Sequence, residues 1–373
     1  MATLREEGDD NTSTEPTART IRAVAFAPTP RNVRGILAVA SFDGTISIWE
    51  DFSSESGGKT LQNMDEDVPL DMHNNSNNGA ALALDRYHDT ACGWECTSQL
   101  EGHENEVKDV AWNATGTLLA SCGRDKSVWI WECFLPGTIG GEGNGSTGPS
   151  GGEGDFECLA VLQSHGGDVK SVVFAPSHGQ FGDGDEILLS ASYDDTIRCW
   201  AEDAGDWYCA LTLEGIHSST VWTIALSPGG VRMVSGSADN SLAVWRCYTA
   251  SEKLEQQDPE ADSQSIDNQG MNSDGLWKCV GKLPDAHSQS VYSVDCAPSR
   301  AGHGRIVSGG GDNCINVYRE VGGTSDAPLF AVDASARGAH RGDVNCVKWH
   351  PTDGRLIASA GDDGLVKIWS YEL

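Results

Sequence analysis

No run of 18 apolar residues occurs in this sequence, and a helix cannot span a bilayer without one. The opening stretch Met1-Ala-Thr-Leu-Arg-Glu-Glu-Gly-Asp-Asp10 lacks the apolar core of a secretory leader and is too acidic for a mitochondrial one. Basic residues are scarce: 25 Lys and Arg stand against 55 Asp and Glu, a formal charge of −30. Nucleic acid is held mainly by cations that neutralise phosphates, so this balance argues against a nucleic-acid partner and, for the same reason, against anionic membrane surfaces. No Cys-x-x-Cys pair exists, the closest spacing being Cys92 and Cys96. Metal and cluster sites rest on closely spaced thiolates, so twelve cysteines imply no cofactor here. Gly143 to Gly148 has the Gly-x-Gly-x-x-Gly spacing, but no strand precedes it and no helix follows, so it is a coincidence in a Gly-rich loop. The expected compartment is the cytosol, with access to the nucleus. There the cysteines stay thiols, and the Asn-x-Ser/Thr triplets at Asn11, Asn113 and Asn144 stay unmodified.

What is present is a repeat. Six times an Asp is followed six residues later by an aromatic: Asp43–Trp49, Asp125–Trp131, Asp194–Trp200, Asp239–Trp245, Asp312–Tyr318 and Asp363–Trp369. Five of these units place a Ser four residues before the Asp, namely Ser121, Ser190, Ser235, Ser308 and Ser359. The same five carry His103, His165, His217, His287 or His340 upstream, just ahead of an apolar-alternating run. Period-two alternation broken by turns, with a His start and a Trp end, marks the blades of a WD40 β-propeller, an all-β fold. The units run over 20–50, 94–132, 156–202, 207–246, 277–320 and 329–373. Residues 1–19 and the Gly-, Ser-, Asn- and Asp-rich insertions 51–93, 133–155 and 247–276 bury too little apolar surface to offset their ordering entropy, and are expected as disordered segments. Shorter insertions near 178–186 and 299–304 lengthen hairpins. The chain ends on the strand Val366-Lys-Ile-Trp-Ser370, with no fourth strand after it and no convincing strand in 1–19 to pair with it.

Ser, His and Asp together suggest a hydrolytic triad, but an enzyme needs one such site and this chain repeats it five times. The reading that follows is a buried hydrogen-bonded network tying loop, strand and turn in each blade. The first unit has Val39 in place of the Ser and no upstream His, so its blade is expected to be the least rigid. Four units open on an aromatic-x-Cys triplet, at Trp94, Phe156, Trp207 and Trp277, whose alternation fits an outer strand with Cys packed as a small hydrophobe. Arg124 stands immediately before a turn Asp, where the other units have Phe42, Tyr193, Ala238, Gly311 and Asp362. A cation there projects from the ring face, either as an anchor for a protein partner or as a solvated surface charge.

The strings Leu100-Glu-Gly-His-Glu-Asn-Glu-Val-Lys108 and Ser121-Cys-Gly-Arg-Asp-Lys-Ser-Val-Trp-Ile-Trp-Glu132 resemble the WD40 subunit of the cytosolic iron–sulfur protein assembly machinery. Ser190 to Ile197, Asp206 to Cys209, Ser219 to Trp222 and His340 to Val347 extend the resemblance over all six units. It implies a seven-bladed scaffold without catalytic activity, so that six blades here leave the family's first one missing. It also implies membership of a targeting complex with a large HEAT-repeat adaptor and a small partner subunit. An iron-hydrogenase-like carrier docks there, and clusters pass to cytosolic and nuclear apoproteins. The family's docking Arg corresponds to Arg124. Relatives with Leu-Tyr-Arg at the end of the third unit differ from the Cys199-Trp200-Ala201 found here. The competing expectation is a general WD40 substrate receptor or adaptor in a ubiquitin-ligase or chromatin complex.

Overall fold

The computed structural model describes residues 20–28, 35–52, 93–134, 155–177, 184–248, 277–298, 304–352 and 354–371. Of the insertions expected at 51–93, 133–155 and 247–276, residues 53–92, 135–154 and 249–276 lie outside them, as do most of the two short ones, while Asp51, Cys133, Phe134, Asp155 and Cys247 at their ends belong to strands. Among the described residues there is no helix. The first sheet orders β1 (Ile21–Phe26), β2 (Ile36–Ser41), β3 (Ile46–Asp51) and β4 (Trp94–Leu100) side by side. The second repeats this with β5 (Val107–Trp112), β6 (Leu118–Gly123), β7 (Ser127–Phe134) and β8 (Asp155–Gln163). The third holds β9 (Val169–Pro176), β10 (Glu186–Ser192), β11 (Ile197–Asp203) and β12 (Asp206–Leu213). The fourth holds β13 (Val221–Leu226), β14 (Arg232–Ser237), β15 (Leu242–Cys247) and β16 (Trp277–Lys282). The fifth holds β17 (Val291–Cys296), β18 (Ile306–Gly310), β19 (Ile315–Thr324) and β20 (Ala327–Ala336). The sixth has three strands among the described residues, β21 (Val344–Trp349), β22 (Leu356–Gly361) and β23 (Val366–Ser370). These are the six blades of a β-propeller.

Sequence repeat and sheet are out of phase. The residues that open the second unit, Trp94-Glu-Cys96, form the outer strand of the first sheet, paired to β3. Each repeat therefore begins on the rim of one blade and finishes in the third strand of the next, which ties neighbours covalently. The aromatic-x-Cys triplets acquire a reason from this pairing. Cys96, Cys158, Cys209 and Cys279 lie opposite Trp49, Trp131, Trp200 and Trp245, each where the register shifts by a bulge. A bulge bends and twists its strand, and a small side chain there lets the outer strand follow the Trp.

Apolar faces meet in five cores, one per junction between consecutive sheets. Ile46 and Ile48 pack with Val107 and Val110, and Ile130 with Val169 and Val172. Ile197 and Cys199 pack with Val221 and Ile224, and Val244 with Val291 and Val294. Ile315 and Val317 pack with Val344 and Val347. The approach is close: a Cβ on Gly309 would stand 2.6 Å from a methyl of Val344, so only glycine fits. Polar side chains stitch the inner strands as well. Val172 N–H donates to Asp109 at 3.1 Å, Val347 N–H to Ser293 Oγ at 3.0 Å and Trp349 N–H to Asp295 at 2.7 Å. Among the described residues no equivalent core joins the sixth sheet to the first, and no strand pairs with the outer edge of β23. No helix of the described residues is long and apolar enough to cross a membrane.

Candidate interaction surface and the networks beneath it

In four sheets the network starts at an indole on the third strand. In the third sheet Trp200 Nε1 donates to Ser190 Oγ at 2.8 Å. The Ser hydroxyl donates to His165 Nε2 at 2.8 Å, and His165 Nδ1 donates to Asp194 at 2.9 Å. This direction fixes the tautomer, because the Ser oxygen already accepts from the indole and the carboxylate can only accept. The second sheet repeats the chain through Trp131, Ser121, His103 and Asp125, with His103 2.9 Å from Ser121 and 2.7 Å from Asp125. The fourth uses Trp245, Ser235, His217 and Asp239 at 2.8, 2.7 and 3.1 Å. The sixth uses Trp369, Ser359, His340 and Asp363 at 2.8, 2.7 and 2.8 Å. In the fifth, His287 reaches Ser308 and Asp312 at 2.8 Å each, while the Tyr318 hydroxyl donates to the carbonyl of Ala286.

Every one of these serines is buried, and in four sheets its oxygen is capped by an indole N–H. Attack on a substrate carbonyl needs a hydroxyl that the substrate can reach, so the arrangement binds the blade together instead of performing acyl transfer. Each Asp also accepts a backbone N–H beside the His, as from Glu104, Gly166, Ser218, Ser288 and Arg341. A third partner was legible but not singled out. A hydroxyl two residues after the Asp, on Thr45, Ser127, Thr196 or Ser241, donates back to it. In the first sheet Val39 occupies the Ser position, Asp43 bonds to Thr45, and Trp49 Nε1 turns to Ser47 at 2.9 Å.

Burial and hydrogen bonding oppose one another in these networks. Burial pushes the Asp194 and Asp239 carboxyls up. The donors from His165 and Thr196, and from Ser241 and Ser218, outweigh it and hold Asp194 well below the carboxylate range and Asp239 at about 2. Burial pulls His165 and His217 down, with their Asp partners offsetting part of that. A depressed Asp contributes stability that is present above about 3.9 and lost as pH falls through its folded value. A His depressed by burial stays neutral when folded, so its contribution is complete above about 6.5 and declines below it. The unfolding midpoint in urea is therefore expected to fall in two stages, first below pH 6.5 and again below pH 4. A midpoint unchanged between pH 7.5 and 3 would contradict the network.

Above the networks lies the face of the ring. Arg124 is exposed in the turn after β6, and its backbone N–H donates to the carbonyl of Glu106 at 2.9 Å. The Glu106 carboxylate is buried and pairs with Arg22 and with Lys108. Two aromatics at the equivalent turn position, Phe42 and Tyr193, are exposed on the flanking sheets, with Arg22 lying over the Phe42 ring and Lys170 over the Tyr193 ring. A row of aromatic, cation and aromatic thus crosses three blades, backed by Lys108 and Lys170, on a chain that is acidic as a whole. Sequence reasoning found Arg124 but missed Arg22, Lys108 and Lys170. They sit one residue into β1, β5 and β9, an alignment that only the sheet register reveals. Among the described residues no group of three or more His, Cys, Asp or Glu is placed to hold a metal ion.

The WD domain, G-beta repeat model matches residues 11–50, 94–132, 156–201, 207–246, 277–319 and 335–370. Its first match begins nine residues before the unit boundary expected at 20. Among curated proteins, a probable cytosolic iron-sulfur protein assembly protein 1 of Botryotinia fuckeliana is 34% identical over 95% of this chain and 84% of its own length. Proteins of the same name from Candida albicans, 36% identical over 94% and 84%, and Debaryomyces hansenii, 34% identical over 94% and 85%, are similar to the same extent.

Proposed function

Since the chain belongs to the WD-domain, G-beta repeat family, among the relatives named probable cytosolic iron-sulfur protein assembly protein 1, we propose that it is a non-catalytic scaffold of cytosolic iron–sulfur protein assembly. In this reading it sits in a targeting complex with a HEAT-repeat adaptor and a small partner subunit, in the cytosol with access to the nucleus. It receives an iron-hydrogenase-like carrier and supports delivery of clusters to apoproteins without ligating the cluster itself. The observation that carries the reading is similarity to those relatives along nearly the whole chain. Arg124 is its proposed partner anchor, supported by its exposure in a turn whose counterparts on the flanking sheets carry the exposed aromatics Phe42 and Tyr193.

The test is capture of the HEAT-repeat adaptor and the small partner by the tagged chain, beside an Arg124→Glu variant. Wild type retains both. Charge reversal weakens one partner by about tenfold or more and leaves the unfolding free energy within about 0.5 kcal/mol, as for an ordinary surface site. Failure of the wild type to retain either protein would sink the scaffold reading, and equal retention by the variant would sink the anchor alone.

A further inference from the structure

The first strands of the six sheets, β1, β5, β9, β13, β17 and β21, line one cavity of about 940 Å3. Their second residues all face it: Arg22, Lys108, Lys170, Trp222, Tyr292 and Asn345. One structural position thus carries three cations on consecutive sheets, then two aromatics, then an amide. The run from Arg22 to Tyr292 is continuous in space. Burial pulls the Lys108 ammonium down, and the nearby charges of Lys170 and Arg22 act in the same direction, against its bond to Glu106. Lys170 stands 4.8 Å over the Trp222 ring, and Trp222 meets Tyr292 edge to face at 5.3 Å between centroids. Among the described residues these three cations pair with two carboxylates. Glu106 serves both Arg22 and Lys108, and Asp168 serves Lys170 at 3.1 Å. Positive charge is left over at this one place, on a chain whose formal charge is −30.

We propose that the cavity binds a small molecule carrying two or more linked phosphates, held by Arg22, Lys108 and Lys170. The inference goes beyond the assembly role and does not depend on it. Three cations on three strands converge on one space, and a compact multivalent anion meets them together. A peptide carboxylate brings a single charge, and an extended acidic segment spaces its charges along the chain at about 3.3 Å per residue. Two of the three cations are Lys, a point charge with freely turning donors that suits phosphate oxygens, whereas carboxylates favour the planar fork of Arg. The overall acidity disfavours a nucleic-acid track, which needs cations along its length, but a local cluster is enough for one small anion. The volume is that of a cavity for a nucleotide-sized molecule, since ligand sites run to about 300–1,000 Å3. Tyr292, half-buried at the aromatic end of the row, offers a ring on which a planar group can stack.

The experiment is titration calorimetry of the full chain with pyrophosphate, tripolyphosphate and ATP, each at one fixed ionic strength. Saturable one-to-one binding is expected, tighter for tripolyphosphate than for pyrophosphate. Lys108→Gln and Lys170→Gln are each expected to weaken it by about tenfold or more, the loss that goes with one hydrogen bond between charged groups. Lys108→Arg keeps the charge and retains most of the affinity. Arg319→Gln removes a cation of β19 outside the cavity and leaves binding as it was. Unfolding midpoints matching wild type check that the variants fold. Tyr292→Leu separates two sources of the phosphates. A loss for ATP alone identifies a nucleotide, and equal affinity for ATP and tripolyphosphate in both proteins identifies a polyphosphate without a stacked ring. Absence of saturable binding up to about 1 mM overturns the proposal. So does binding that the two Lys→Gln variants leave unchanged, or that Arg319→Gln lowers equally, since either means general screening of surface charge. A capped hexaglutamate peptide that binds as tightly as tripolyphosphate and displaces it also overturns the proposal, in favour of an acidic protein segment. No partner protein is present in these titrations, so their failure leaves the assembly reading standing.

Discussion

Asp194→Ala is expected to lower the unfolding free energy by about 3 kcal/mol, and Asp43→Ala by about 1 kcal/mol or less. Both residues occupy the same turn position, six before a Trp, so the contrast isolates what lies beneath the turn. Asp194 accepts from His165 Nδ1, from the backbone of Gly166, and from the backbone and hydroxyl of Thr196. Removing it strands the Nδ1–H of a buried imidazole, and the chain through Ser190 to the Trp200 indole loses its terminal acceptor. A buried donor without a partner costs about 1–3 kcal/mol, and loss of the turn bonds adds to that. Asp43 is exposed and bonds to Thr45, where water replaces the carboxylate readily. Urea unfolding of the two variants checks the difference. Equal losses would mean that the His–Ser–Trp chain contributes nothing beyond the turn.

The spacing of Asp and Trp made the networks legible because hydrogen-bonded side chains must keep a fixed offset along paired strands. In the β10–β11 register Ser190 pairs with Arg198 and Trp200 with Leu188, so the indole reaches the serine diagonally, and any insertion between them would break that bond. The same logic made Thr45, Ser127, Thr196 and Ser241 readable as a hydroxyl two residues after the Asp. The cations on the inner strands were less readable. Lys108 and Lys170 lie in ordinary alternating strands, and only the packing of successive sheets brings the two close enough to interact. The phase of the blades was also hidden, since the repeat begins at an aromatic-x-Cys triplet that pairs with the preceding sheet. The exposed wall of the sixth sheet was not readable at all. Its residues read as an ordinary blade, because what differs is that no described residue covers it.

That absence sets the second large effect: Ile48→Ala is expected to cost about 2–5 kcal/mol, and Ile368→Ala about 0.5 kcal/mol or less. The two isoleucines precede Trp49 and Trp369 in matching strands and pair with Ala38 and Ala358 in the same register. Composition, propensity and local hydrogen bonding are thus held nearly constant. Ile48 is buried in the core shared with Val107 and Val110, so truncation leaves a cavity between two sheets. Ile368 projects from a face that no described residue covers, so truncation removes side-chain atoms already in water. β-propensity favours Ile over Ala by less than about 1 kcal/mol, which bounds the second effect. Thermal and urea unfolding of both variants at matched protein concentration provides the check. A cost at Ile368 approaching that at Ile48 would show that the sixth sheet is covered in solution, and its dependence on protein concentration would then tell self-association from a covering segment of the same chain.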